Sequence, residues 1–367
     1  MKKFISISMV IVLLVSMSVT AVASSQLQFT ETAKRGWYFA NEGSDGNVFV
    51  PKDKYNPDHL ITYTYSSKTT FEGNEEKAKK ILDSAKTPGM GVRALHKEGL
   101  TGKGVSIAYI NHGIQGGNLD NFKHPEFRDG MIKEYVNLGH GNRGTSGFAY
   151  ANISALAGKT VGTAPGVNLY YLGVGGIHNK NSRWEPIING IDWVINKNKS
   201  LSKADRIKVI AVDTWGFGYD DGVKPYYEAV KRAEKSGIII LGPVFDEKAL
   251  AVYSLTAGIG YYDAASPNNV DKAMLGWPDR IFSGSKSRKE VYVPSARRTA
   301  AWVNDEYIYV YASMAYYNQY LAGIIALGYQ ANPNITKEQL TEAMIVTTTY
   351  NLMVNPPAFI EAVKKAK

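Results

Sequence analysis

The 367-residue sequence contains no cysteine. A chain without cysteine has no disulfide, no thiolate metal ligand, no cysteine nucleophile and no lipoprotein anchor. Internal repeats and low-complexity tracts are also missing. If the protein works outside the cell, its stability must come from core packing or from bound ions.

Long apolar runs are missing too, apart from one at the amino terminus. Lys2 and Lys3 precede an apolar stretch over residues 4–22, and residues 21–23 (AVA) form a small-x-small cleavage pattern. Serine and threonine interrupt the stretch and no stop-transfer charges follow it, which disfavours an uncleaved transmembrane helix. Residues 1–23 are therefore predicted to be a signal peptide, and the protein is predicted to be secreted without a stable membrane anchor.

The formal net charge is +9, and it is spread along the chain. The densest basic clusters, KSRK at 286–289 and KKAK at 364–367, are short. Such a pattern favours a solvated basic surface, or attraction to an anionic cell-wall polymer, over recognition of nucleic acid.

Composition changes once along the chain, near residue 90. Residues 24–72 are polar and aromatic without a sustained hydrophobic period, residues 73–86 predict a short helix, and residues 87–91 (TPGMG) end it. We interpret residues 24–90 as an amino-terminal arm, or a remnant of a pro-region, that packs on a main domain of residues 91–367.

The main domain alternates short apolar strands with helical segments. An alternation of this kind predicts an α/β fold, with a mostly parallel, doubly wound sheet flanked by helices. Strands are predicted at 104–110, 167–174, 207–212 and 237–241, and crossover helices at 146–157, 185–197 and 224–236.

Nine segments of the main domain resemble, in order, the blocks of subtilisin-like serine proteases, the peptidase S8 family. Each block alone is weak, but together they span residues 91–367. The resemblance implies the subtilisin fold. The blocks are GLTGKGVSIAYINHGI (99–114), HPEF (124–127), RGTSGFAYANISALAG (143–158), VGTAPGVNLYYLGV (161–174), IINGIDWVINKN (187–198), SGIIIL (236–241), VYVPSARR (291–298), YASMAYYNQYLAGIIAL (311–327) and VNPPAFIEAVKKA (354–366).

The resemblance also implies the positions of four catalytic residues. This sequence retains one of the four. Ser313 matches the nucleophile, but Asn111 stands at the aspartate position, Arg143 at the histidine position and Asp246 at the position of the oxyanion asparagine. Arginine has no acceptor for the serine proton, and a carboxylate would repel a developing oxyanion. Ser313 is then interpreted as a helix cap, and a catalytically degenerate site is expected.

Two histidines could in principle replace the missing base. His140 lies three residues before Arg143, but aligning it with the family histidine requires an insertion. His112 follows Asn111 and is expected to point to the opposite side of the strand end. We interpret both as loop histidines. We further expect Arg143 and Asp246 to pair as ions, with two solvated charges as the alternative.

The resemblance places six further residues on the substrate cleft: Trp215, Gly216, Phe217, Gly242, Tyr316 and Tyr317. In this family the cleft binds peptide by strand addition. No calcium ligand or other cofactor is expected, because Leu156 stands where a liganding asparagine would be.

Three functions remain open at this stage. The sequence favours a secreted pseudoprotease that binds a peptide, a protein or wall material. The second is a serine endopeptidase that uses Ser313 with an unorthodox base. The third is a structural protein of the cell envelope.

Overall fold

The structure is a computed structural model. It describes residues 31–35, 37–40, 46–111, 113–114, 119–139, 147–174, 184–213, 223–244, 252–261, 274–275, 289–311, 317–349 and 352–366. In these ranges no helix is long and apolar enough to cross a membrane.

Strands and helices alternate through the middle of the chain. The strands are β1 (Tyr38–Phe39), β2 (Val48–Val50), β3 (Thr64–Ser66), β4 (Thr69–Phe71), β5 (Ser106–Asn111), β6 (Ile132–Asn137), β7 (Asn168–Gly173), β8 (Ile207–Val212), β9 (Ile239–Leu241), β10 (Thr256–Tyr261), β11 (Met274–Leu275), β12 (Glu290–Ala296), β13 (Arg298–Ala301) and β14 (Tyr307–Val310). The helices are α1 (Glu75–Ser84), α2 (Val92–Lys97), α3 (Gly147–Ala157), α4 (Trp184–Ser200), α5 (Val223–Lys235), α6 (Tyr317–Ala331), α7 (Lys337–Val346) and α8 (Pro356–Lys365).

Five of these strands form the central sheet, in the order β6-β7-β5-β8-β9. All four pairings are parallel. The predicted α/β class with a parallel sheet is therefore confirmed, and the four predicted strands are β5, β7, β8 and β9. The edge strand β6 was not predicted, because its sequence IKEYVN is half-exposed and carries two charges.

Helices cover both faces of the sheet. Successive residues of a strand point to opposite faces, so Tyr109 of β5 lies in the core beneath α3 and α6, whereas Ala108 and Ile110 lie beneath α4 and α5. The apolar character of β5 on both faces follows from this double cover.

Helix α3 is buried on two sides. Its Ile153 packs in the core of the sheet, while Ala151 and Ala155 pack against Ala300 and Trp302. Trp302 follows β13, which pairs with β14 as an antiparallel hairpin. The hairpin thus holds α3 against the sheet.

The amino-terminal arm has its own aromatic core. Phe39, Tyr63, Tyr65 and Phe71 are buried together, and Tyr309 of β14 belongs to the same cluster. Strand β3 pairs with both β1 and β14, giving the order β1-β3-β14-β13. The sequence did not predict this core, because its residues come from short strands and turns with no common period.

Candidate active site

The candidate site lies at the carboxyl-terminal edge of the central sheet, where Asn111 ends β5, Asp213 follows β8 and Gly242 follows β9. Strand ends of a parallel sheet meet at one edge, and ligands of open α/β folds bind there. The backbone N–H of Asp213 donates to the carbonyl of Ile110 at 2.9 Å, so the ends of β5 and β8 are in direct contact.

Asn111 is directed into the protein. Only 1% of the residue is exposed, and its side-chain amide donates a hydrogen bond to the hydroxyl of Tyr109. The two residues lie two apart on β5 and therefore share a face of the sheet. The uncharged Asn111 amide is thus held by the core beneath it.

A buried carboxylate lies next to Asn111 on the neighbouring strand. Asp213 is 3% exposed, and its Oδ2 accepts from Nδ2 of Asn152 on α3 at 3.2 Å. On the other flanking helix, Asn318 of α6 donates its amide to the carbonyl of Val212 at 3.1 Å. Consecutive residues at the end of β8 therefore bind both helices, and both helix amides are fully buried.

Tyr109 interacts with both Asp213 and Asn152. Burial raises the pKa of its hydroxyl well above the usual range, and the negative charge of Asp213 raises that pKa further, while a hydrogen bond with Asn152 opposes the shift. Burial likewise raises the pKa of Tyr171, which packs edge-on against Tyr109 at 5.3 Å between ring centroids. Both phenols are therefore neutral at physiological pH.

Gly242 has a packing reason to be glycine. A Cβ there would lie 2.3 Å from the hydroxyl oxygen of Tyr226. That hydroxyl is 2.9 Å from the hydroxyl of Tyr253, which donates to the carbonyl of Pro243 at 2.9 Å. Two buried tyrosines thus fix the backbone after β9.

Of the six predicted cleft residues, Gly242 and Tyr317 are within the described part of the chain. Tyr317 begins α6 and is partly buried. Burial raises the pKa of Tyr226, and Tyr227 and Tyr317 raise it further. Gly242 lies against the hydroxyl of the same Tyr226.

The chain approaches the position of Ser313 along the hairpin. After β14, the backbone N–H of Tyr311 donates to the hydroxyl of Thr64 on β3 at 3.2 Å, and the carbonyl of Tyr311 accepts from the N–H of Arg297 at 3.2 Å. Strand β3 of the arm therefore supports the segment that leads to the predicted nucleophile.

Several predicted site residues lie outside the described residues: Ser313, Arg143, Asp246, Trp215, Gly216, Phe217, Tyr316, His112 and His140. Their assignments stay predictions from the sequence. The expected ion pair between Arg143 and Asp246, and the interpretation of Ser313 as a helix cap, stay predictions for the same reason.

Sequence reasoning missed the polar residues that the structure places beside Asn111, namely Tyr109, Asn152, Asp213 and Asn318. One signal was available for Asp213, since a carboxylate directly after the apolar run IKVIAV stands at the ligand-binding edge of a parallel sheet. Asn152 and Asn318 could not be found in this way, because their partners lie 61 and 106 residues away along the chain.

The loop after α3 is held by a protein carboxylate. Glu126, 1% exposed, accepts from the backbone of Thr160 at 2.7 Å and of Val161 at 3.3 Å, from the hydroxyl of Tyr307 at 2.9 Å and from the hydroxyl of Thr160.

Leu156 is fully buried in the core. Among the described residues, no group of three or more histidine, aspartate and glutamate side chains could hold a metal ion.

The chain is a subtilisin-fold protein, as its parallel sheet flanked by helices and its comparison with known proteins both show. No family model matches the sequence. Its sequence relatives include the serine protease AprX of Bacillus subtilis (strain 168), 25% identical over 325 residues, with 78% of this chain and 70% of the relative covered. They also include subtilisin E of the same organism and subtilisin of Bacillus pumilus, each 26% identical over 267 residues and covering 70% of this chain.

The resemblance to the S8 family is thereby confirmed. The match spans 64% of the length of subtilisin E and 88% of that of the Bacillus pumilus subtilisin. These relatives are serine proteases.

Solved structures agree on the fold. The prenylagaramide maturation protease PagA superposes with a TM-score of 0.54 at 14% identity, covering 76% of this chain and 99% of that structure. The PatG macrocyclase in complex with peptide gives 0.54 at 13% identity, with 74% and 95% covered. The subtilase cytotoxin SubAB gives 0.53 at 11% identity, with 78% and 96% covered.

Proposed function

We propose that this chain is a secreted pseudoprotease that binds a peptide segment in the cleft of a subtilisin fold without hydrolysing it. The observation that carries the proposal is the uncharged, buried side chain of Asn111 at the aspartate position. The residue is buried and uncharged, and its amide is committed to the hydroxyl of Tyr109.

This state matters because of what an aspartate does in a serine protease triad. The aspartate accepts a hydrogen bond from the histidine, fixes its tautomer and stabilises the imidazolium, and exchanging it for asparagine lowers turnover about 10⁴-fold. Asn111 carries no negative charge, so it cannot stabilise the imidazolium as a carboxylate does. The predicted Arg143 and Asp246 would remove the base and the oxyanion donor as well.

Peptide is the ligand class that best suits a cleft built on strand ends. The backbone after β9 is held rigid by Tyr226 and Tyr253, which suits it to pair with an extended peptide by strand addition. A PatG macrocyclase with the same fold is known in complex with peptide, which supports this choice. Because the chain has a net positive charge, an anionic cell-wall polymer is the alternative ligand to peptide.

The test is a binding experiment that also detects cleavage. The mature protein is titrated with fluorescent casein-derived peptides, and each mixture is then analysed by mass spectrometry. We expect saturable binding with intact peptides, and weaker binding by a Gly242→Leu variant, whose side chain enters the space of Tyr226. Cleaved peptides, or a failure of every peptide to bind, would contradict the proposal.

A serine endopeptidase is the second candidate, and the sequence relatives favour it. AprX and the subtilisins are serine proteases, so peptide hydrolysis through Ser313 is the reaction this chain would perform if it is active. Peptides cleaved by the parent protein and left intact by Ser313→Ala would establish that reaction.

A further inference from the structure

The described part of the site contains a buried carboxylate that the family resemblance does not assign. Asp213 is 3% exposed and lies on the same face of the sheet as Tyr109 and Asn111, because Ala211 of β8 already faces that core. A buried carboxylate needs specific hydrogen bonds, and here Asn152 supplies one from α3.

Asn111 and Asp213 are neighbours across the sheet. Ile110 and Val212 are register partners on β5 and β8, and the N–H of Asp213 reaches the carbonyl of Ile110 at 2.9 Å. The following residues, Asn111 and Asp213, therefore lie side by side at roughly the 4.8 Å spacing of adjacent strands. The hydroxyl of Tyr109 accepts from Asn111 and also feels the charge of Asp213.

We infer that Asp213 supplies the buried negative charge of this site from β8, and that residue 111 on β5 must consequently be uncharged. Two carboxylates this close in a buried site cannot both ionise freely, so an aspartate at position 111 would be pushed toward its protonated form. Asn111→Asp alone therefore cannot restore the family aspartate. The inference rests on the proposed function only in assigning residue 111 to the aspartate position.

Asp213 also acts as a positioning residue. Its carboxylate binds α3 through Asn152, and the carbonyl of Val212 beside it binds α6 through Asn318. These two helices are the ones that the resemblance associates with the family histidine and serine. The end of β8 is thus hydrogen-bonded to both helices.

Three tyrosines on the neighbouring strands and on α3 are the other titratable groups described around this cluster. Tyr109 on β5 and Tyr171 on β7 have pKa values raised by burial, as does Tyr150 on α3. The other groups that α3 and α6 present here are the amides of Asn152 and Asn318. A pH-dependent effect of a new carboxylate at position 111 would then report its interaction with Asp213.

The test is a charge exchange between the two strands. Thermal midpoints are measured at pH 4.5 and pH 7.5 for the parent, Asn111→Asp, Asp213→Asn and the double variant Asn111→Asp/Asp213→Asn. Asn355→Asp is the matched control, because Asn355 caps α8 through its Oδ1 and aspartate caps equally well.

We expect Asn111→Asp to lower the midpoint by roughly 5 °C or more at pH 7.5 and by much less at pH 4.5. The sign follows from linkage: the folded state raises the pKa of the added carboxyl above its unfolded value of about 3.9, so stability is lost as pH rises. The double variant should recover most of the loss, and the control should not change.

Two results would overturn the inference. One is an Asn111→Asp protein as stable as the parent at both pH values, and the other is a double variant no more stable than Asn111→Asp. If Asn111→Asp does not fold, the double variant decides, since a folded exchange supports the inference and an unfolded one overturns it. Failure of the proposed function would appear separately, as peptide cleavage by the unmodified protein.

Discussion

Asn152 on α3 donates its buried side-chain amide to the carboxylate of Asp213 at the end of β8, at 3.2 Å. Both residues are at least 97% buried. This hydrogen bond joins a helix to the sheet where the candidate site lies.

Replacing Asn152 by alanine should destabilise the protein. The carboxylate of Asp213 would lose a buried donor, and hydrogen bonds to charged groups contribute about 1.5–3 kcal/mol. Urea unfolding followed by fluorescence measures the change. Asn196→Ala is the control, because Asn196 is exposed on α4 and accepts from the exposed Lys199. Equal stability of both variants would argue against a structural role for this bond.

Glu126→Gln should loosen the loop after α3. The carboxylate accepts from three residues through both oxygens, whereas a glutamine has one acceptor oxygen and an NH₂ group that can only donate. We expect a loss of roughly 2–3 kcal/mol in the free energy of unfolding. Glu361→Gln, at an exposed ion pair with Lys364, should cost less than about 0.5 kcal/mol. A loss in Glu126→Gln no greater than in this control would show that the carboxylate is dispensable.

The buried His124 and the half-buried His96 should make the fold sensitive to acid. Burial lowers the pKa of His96 and of His124 below the ordinary value of 6.5. His124 Nδ1 accepts from the N–H of Glu126 at 3.0 Å, a bond that a protonated ring cannot form. Because the unfolded chain binds protons more readily at these positions, stability should fall as pH drops below about 6.5.

The measurement is the urea midpoint at pH 7.5 and pH 5.5. The midpoint should be lower at pH 5.5, and the difference should shrink in His96→Gln, which keeps a donor for the carbonyl of Thr163. His59→Gln serves as the comparison, because His59 lies in the amino-terminal arm, in an edge-on ring contact with Tyr63. An unchanged pH difference in His96→Gln would rule His96 out as a cause.

The amino-terminal arm should be required for a stable fold. Tyr65 on β3 packs against Tyr309 on β14 at 5.3 Å between ring centroids, and Tyr309 donates to the carbonyl of Ile61 at 3.1 Å. Thr299 donates its hydroxyl to the carbonyl of Leu82 at 2.6 Å. Removing the arm would expose this face and the edge of β14, so a chain of residues 91–367 should be insoluble or unfolded.

A point variant tests the same contact in the full chain. Tyr65→Ala should lower the free energy of unfolding by about 3–5 kcal/mol, as large buried aromatics do. Phe49→Ala in the same arm should change it little, because Phe49 is 57% exposed. A folded, soluble chain of residues 91–367 would instead support the interpretation of the arm as a removable pro-region remnant.

The central sheet could be predicted because each of its strands is a short apolar run between helical segments. Strand β8 matches its predicted range of 207–212, and helix α5 differs from its predicted range by one residue at each end. Thr336 and Gln339 form a capping box at the start of α7, a short sequence pattern that marks a helix start. Strands, helices and caps of this kind depend mainly on residues that are close in the sequence, so the sequence alone predicts them.

The polar network of the site could not be predicted, because it depends on contacts between distant segments. Nothing near Asn152 in the sequence indicates that it meets Asp213, 61 residues away. The aromatic core of the arm has the same origin, since Tyr65 and Tyr309 are 244 residues apart but adjacent across β3 and β14. The resemblance to a family aligned Asn111 with the catalytic aspartate, and the structure showed that Asn111 is buried and hydrogen-bonded to Tyr109.

The most direct test of the account is labelling of the folded mature protein with a fluorophosphonate probe, which reacts with an activated serine hydroxyl. With an active subtilisin as the positive control and Ser313→Ala as the negative control, we expect no label on the parent protein beyond that on Ser313→Ala. Stoichiometric labelling of Ser313 that disappears in Ser313→Ala would contradict the account and establish a working serine protease.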